Sequence, residues 1–228
     1  MSEQSSGDRA APSEEANVTG VPRWPATIAV LFVGVLYLAI SDRYSVGPSW
    51  LVLAAAGALL IPLWTARARG RHRLTHFLSR AVIGMQTLAV AGSAILLLVR
   101  LSEGKTQAFD LLRDAALIWL ANIITFAAWY WDLDGGGPAA RHPGRHSSTD
   151  FAFPQQQQDD DGLVEGWSPG FIDYLFLAFN TATAFSPTDT LVLSRRMKLL
   201  MMAQSLISLL VVAVLAARAI NTITTPDP

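Results

Sequence analysis

The sequence predicts an all-α fold: an integral membrane helical bundle of five transmembrane spans plus a re-entrant half-helix. Three observations carry that prediction. Of 228 residues, 51% are hydrophobic and only 15% charged, which lies outside the balance of a water-soluble domain. The apolar residues gather into long blocks instead of recurring along amphipathic faces, as hydrocarbon on all sides demands. Basic residues concentrate between the blocks, above all in TARARGRHRLTHFLSR (65–80), which holds Arg67, Arg69, Arg71, Arg73 and Arg80 and no acid.

The elements follow in order. Residues 1–24 form a polar tail that is expected to be disordered, and its first 23 residues lack the basic start and apolar stretch of a secretory signal. The block ATIAVLFVGVLYLAI (26–40) is short for a span. Its flanks, with Trp24 at the headgroup level, bring it to about the 17 residues that a thin or untilted crossing needs. The second block, 48–66, carries Trp50 and Trp64 near its two ends, an interfacial aromatic pattern. The third, 81–99, lies between Arg80 and Arg100, and the fourth, 115–131, closes on Trp129, Tyr130 and Trp131. Together these make a four-span bundle over 25–131.

From 132 to 170 the chain reads DLDGGGP, RHPGRHSSTD and QQQQDDDG, a composition too poor in apolar surface to offset the entropy of ordering, so a flexible linker is expected. FIDYLFLAFNTATAF (171–185) is too short for an easy crossing, and Ser186 with Pro187 ends a helix there. It is read as a half-membrane helix that turns back, sheltered by other spans. The block 199–220 is the last span and completes a module over 171–221.

The arginine loop orients the chain, with the N-terminal tail and the linker cytoplasmic at the plasma membrane and the turns around Arg43 and 103–110 outside. A re-entrant 171–190 keeps Arg195, Arg196 and Lys198 on the arginine side, a steeper inside bias than a full crossing leaves.

The stretch FNTATAFSPTDT (179–190), a short helix before it and a long helix after it resemble the pore module of potassium channels, whose filter reads roughly T-x-T-T-V-G-Y-G-D. In that resemblance Thr181 and Thr183 match the threonines, Asp189 matches the terminal acid, and Ser186, Pro187 and Thr188 fall where Gly, Tyr and Gly belong. The glycines that let backbone carbonyls line such a filter are missing, so the resemblance implies loss of selective potassium conduction. The arginine loop places the start of the half-helix inside, as in the inverted pore loop of ionotropic glutamate receptors. DYLFLAFNTATAFSPTD, SRRMKLLMMAQSLISLL and AINTI are similar to a family of bacterial multi-pass membrane proteins of unknown function, and membership in it brings no known activity.

For conduction, Thr181, Thr183, Ser186, Thr188 and Asp189 are the candidate pore lining, supplying hydroxyls and a carboxylate ring in a symmetric homo-oligomer that passes monovalent ions. The same residues also suit a structural turn: Ser186 and Thr188 flank Pro187, and Asp189 can cap the final helix or pair with Arg195. Gln204, Ser205 and Ser208 fall at three- and four-residue spacing, one face of the last helix, and are candidate helix–helix polar contacts. Asn122 and Gln86, lone amides in mid-span, are read the same way. Asp110, Arg113 and Asp114 suggest a local ion pair.

With no cysteine there is no disulfide, thiolate nucleophile or cysteine metal site. His142 and His146 are separated by Pro143 and Gly144, which break the helix that metal ligation at that spacing needs, and Asp159, Asp160 and Asp161 lack a calcium-loop pattern. No phosphate loop or catalytic acid–base pair is present, so no enzyme activity, cofactor or metal is expected, and near-neutral net charge gives no indication of nucleic acid. The expectation is a channel-like membrane protein in the lipid bilayer. The rival is a non-conducting scaffold or partner-binding protein of the same architecture.

Overall fold

The structure, a computed structural model, describes residues 24–101, 108–138, 140, 149–157, 167–187 and 189–224. The N-terminal tail, the turn at 102–107, Thr188, His142, His146 and the acidic run 159–161 therefore lie outside the described residues. The elements are α1 (Trp24–Ala39), α2 (Trp50–Ala68), α3 (His72–Arg100), α4 (Ala108–Leu133), β1 (Phe151–Ala152), α5 (Pro154–Gln157), α6 (Phe171–Thr183), β2 (Leu191–Val192) and α7 (Arg195–Thr224).

Four helices, α2, α3, α4 and α7, are long and apolar enough to cross a membrane; α1 is a shorter apolar helix of 16 residues. The distribution of polarity shows why the fold suits lipid. Gln86, Ser93, Asn122, Thr125, Gln204 and Ser208 are fully buried, whereas Leu88, Ile61, Phe109 and Ile172 are 70–75% exposed. A protein in water would reverse that arrangement; one in hydrocarbon must satisfy its polar groups internally and can leave its apolar ones outside. Between Arg80 and Arg100 the chain carries no charge, and at 1.5 Å per residue those 19 residues span about 28 Å, close to a bilayer's hydrocarbon thickness. The chain is a membrane-embedded, mostly helical protein.

Hydrogen bonds fix the helix directions. Gln86 Nε2 donates to Val30 O at 2.7 Å and Tyr37 Oη lies 3.3 Å from Ser93 Oγ, so α1 and α3 advance together. Ser79 donates to Asp132 and Trp129 Nε1 to Thr87 Oγ1, so α4 runs against α3. α1, α3, α6 and α7 therefore start at one end, here the near end, where the arginines of 67–80 also lie. α1 and α2 cross closely: a Cβ on Gly34 would sit 2.8 Å from Leu53 Cδ1 and 3.0 Å from its Cα, so glycine allows the backbones to approach.

The helices extend past the apolar blocks. Of the arginine loop, only 69–71 lies between α2 and α3; arginine, leucine and histidine continue the helix beyond the hydrocarbon, since hydropathy registers lipid and not the helix end. Within the stretch expected to be a linker, the described residues 149–157 form a strap: Phe151 and Phe153 are buried against Tyr130, Tyr174 and Trp167, and β1 pairs antiparallel with β2. Two phenylalanines at i and i+2 of an extended segment face one side and anchor it, a local signal diluted by the glutamine, glycine and proline around it.

Candidate functional site

The module from α6 to α7 is built around a helix that stops inside the bundle. α6 is capped by Gly170, whose N–H donates to Asp173 Oδ2 at 2.7 Å, so a first-turn acid satisfies the cap and complements the helix dipole. It ends at Thr183 after 13 residues, roughly 20 Å. α7 lies beside it in the same direction: Gln204 Nε2 donates to Ala178 O at 2.7 Å, Ser205 Oγ to Thr181 O at 3.3 Å and Ser208 Oγ to Ala182 O at 2.6 Å. Parallel neighbours joined in sequence require the chain to travel back, and 184–194 returns it to the near end, where β2 meets β1 and α7 starts.

These bonds solve a specific problem. A helix leaves its last carbonyls without intrahelical donors, which is costly away from water. Ala184 N–H satisfies Asn180 O at 2.8 Å, and the Ser205 and Ser208 hydroxyls donate to the next two acceptors, Thr181 O and Ala182 O. Gln204 ties in α4 as well: Tyr130 Oη donates to its Oε1 at 2.6 Å and Asn122 Nδ2 to its backbone oxygen at 3.2 Å. Trp119 Nε1 donates to Ser208 Oγ at 3.1 Å, so both α7 side chains are shared between α4 and α6.

After α6 the chain turns at Phe185, among the described residues the one non-glycine with positive φ, at 53°. A bulky side chain in that conformation is strained, and it stands where a glycine would turn more cheaply. The return and α7 enclose an open, mainly apolar groove of about 920 Å³ that includes Thr181, Ser186, Thr190, Ser205 and Lys198.

The candidate lining residues do not converge within one protomer. Thr181 is buried and donates to Leu177 O at 2.8 Å; Thr183 is exposed and donates to Phe179 O at 2.9 Å. Residues two apart share a face in an extended filter, but the helix continues through Thr183 and places them on different sides. Ser186 is half-buried, Asp189 is exposed, and Thr188 is outside the described residues.

A second cluster was not legible in the sequence. Asp134, directly after α4, is buried and accepts from Asp150 N–H at 2.7 Å, Phe151 N–H at 3.2 Å and Tyr174 Oη at 2.5 Å. Asp150 in turn accepts from Arg196 Nε at 2.9 Å and from its Nη2, while Arg196 Nη2 also reaches Leu133 O at 3.2 Å. The cluster ties the ends of α4, α6 and α7 to the strap at 149–153. Gly137, with φ of 92°, leaves room for the Asp132 carbonyl that a Cβ would meet at 2.7 Å, so the turn after α4 needs glycine. At the far end, Arg113 pairs with Asp114 at 3.0 Å and Ser41 N–H reaches the same carboxylate at 3.4 Å.

Burial by itself would raise the Asp150 carboxyl, but the Arg196 guanidinium, aided by Ser194 and the Gly135 N–H, outweighs it and holds the group below its ordinary value. A carboxylate depressed on folding contributes stability above its unfolded pKa and loses it as pH falls through the folded one. Unfolding free energy should thus be insensitive to Asp150 from neutrality down to about pH 4, then fall below it. Acid titration of wild type against Asp150→Asn checks this: the variant should be weaker at neutrality, and the difference should shrink only in that acid range.

Comparison of the chain with protein-family models, curated proteins and solved structures gives no match.

Proposed function

We propose that the chain is a multi-pass protein of the plasma membrane in which α6 is a re-entrant half-helix beside five spans, and that the α6–return–α7 module is channel-like, passing monovalent cations at an interface between copies. The carrying observation is that α6 stops beside the middle of α7, with Thr183 exposed at its C-terminal end and Asp189 exposed on the return. Half-helix C-termini at membrane depth attract cations, and side chains left outward on one protomer line a shared axis in a symmetric oligomer. The return, with Ser186 and Thr188 in place of the filter glycines, supports a pathway without potassium selectivity.

A non-conducting scaffold of the same architecture is the second reading. It is favoured by Thr181, whose hydroxyl is buried and bonded to its own helix. Planar-bilayer recording of purified protein separates the two. Cation current that falls several-fold in Asp189→Asn supports the pathway; silence under every ion gradient, with the protein reconstituted, supports the scaffold.

A further inference from the structure

The geometry points to a binding site for the phosphodiester headgroup of an anionic phospholipid on the near-end turns of α3. Arg73, His76, Phe77 and Arg80 stand at i, i+3, i+4 and i+7 and so occupy one helix face, where with Ala81 and Gly136 they line an open groove of about 640 Å³. Gly136, with φ of 84°, lies in the turn after α4 and lines the groove opposite α3.

The groove is cationic in a specific way. Arg73 makes no ion pair among the described residues. Arg80 meets Asp132 through Nε alone, at 3.4 Å, while the other Asp132 oxygen is taken by Ser79 Oγ at 2.5 Å. That leaves the Arg80 Nη donors for a phosphate, and guanidinium groups bind phosphate oxygens in pairs. Asp132 keeps one negative charge at the border, so the groove is net positive without being self-neutralised.

Its position selects a lipid over a soluble anion. Arg80 lies level with the end of α4 and adjoins Ala81, where the uncharged stretch begins, and Arg73 is two turns further out, about 10 Å along the axis. That interval is comparable to a headgroup layer. Between the two arginines Phe77 is 69% exposed, an aromatic placed where glycerol and the first acyl carbons would lie. A free phosphate has no use for Phe77; a phospholipid covers it. Basic grooves on the cytoplasmic side of helix bundles are suited to such headgroups.

The site requires only the membrane-embedded bundle and is independent of conduction. The test is native mass spectrometry of the full chain in nonionic detergent, titrated with phosphatidylglycerol, with phosphatidylcholine as the zwitterionic control and with glycerol phosphate as the headgroup alone. One phosphatidylglycerol should be retained about 10-fold more tightly than phosphatidylcholine, and Arg73→Gln and Arg80→Gln should each weaken it about 5-fold. Phe77→Ala should weaken both lipids, and glycerol phosphate should not compete. Because Arg80→Gln also removes the Asp132 contact, Arg73→Gln is the deciding variant. Equal retention of the two lipids, retention of neither, undiminished phosphatidylglycerol binding in Arg73→Gln, or competition by glycerol phosphate would each overturn the assignment.

Discussion

Replacing Asp134 by alanine should destabilise the fold by about 3–5 kcal/mol, the largest effect expected of a single polar substitution here. Its carboxylate is 1% exposed and accepts from two backbone amides of the strap and from Tyr174, three buried donors that would lose this acceptor. Each such donor costs about 1–3 kcal/mol, and the costs do not add fully because the strap can lift and reach water. Denaturation by SDS in mixed micelles measures the loss. Tyr174→Phe, which removes one of the three bonds, should cost about 1 kcal/mol and leave the strap seated. If Asp134→Ala unfolds at the wild-type SDS fraction, the cluster is not what secures 149–153. A cysteine at Ala152 gives an independent reading, since it should become labelled faster in the Asp134 variant.

The second large effect is expected at Gln204. It joins three helices, with Tyr130 Oη donating to its side chain, Asn122 to its backbone, and its own amide reaching Ala178 O. Gln204→Leu keeps the volume near constant but removes the Gln204 acceptor from the Tyr130 hydroxyl, and about 2 kcal/mol should be lost, near the upper limit of interhelical hydrogen bonds within membranes. Tyr130→Phe alone should cost less, and the double variant should be no less stable than Gln204→Leu, because removing both partners leaves no hydroxyl unpaired. Strict additivity in that cycle would show that the two groups act separately. A further consequence is local: with Gln204 gone, α6 loses one of its three side-chain ties to α7, so hydrogen exchange of amides 181–184 should accelerate.

Some of this was open to reading in the chain and some was not, for identifiable reasons. The uncharged blocks announce lipid directly, since charge in hydrocarbon is costly wherever it falls. The helix ends were hidden because His72 to Arg80 is both strongly basic and helical, and hydropathy responds to the first property alone. The spacing of Gln204, Ser205 and Ser208 marks a polar face, but their acceptors are backbone carbonyls of α6, which carry no residue identity. Asp150 and Arg196 lie 46 residues apart, beyond any local pattern, and the two phenylalanines that seat the strap are outnumbered by glutamine and glycine. The likeness of 179–190 to a filter is a match of residue types. It contains no information on whether the backbone at Thr181 and Thr183 is extended or helical, and that determines where their hydroxyls point.

The inequality of the helices also bears on the surrounding solvent. At 16 residues α1 is about 24 Å long, while the uncharged stretch of α7 between Lys198 and Arg218 is 19 residues, about 28 Å; α1 presents aliphatic and aromatic side chains outward, α7 aliphatic ones and methionine. A hydrocarbon layer about 30 Å deep matches the α7 stretch but exceeds α1, so a bilayer that α1 crosses must pinch on that flank. Thinning confined to one flank would make the lipid annulus lopsided, and acyl-chain length then becomes a variable to which lateral partitioning responds.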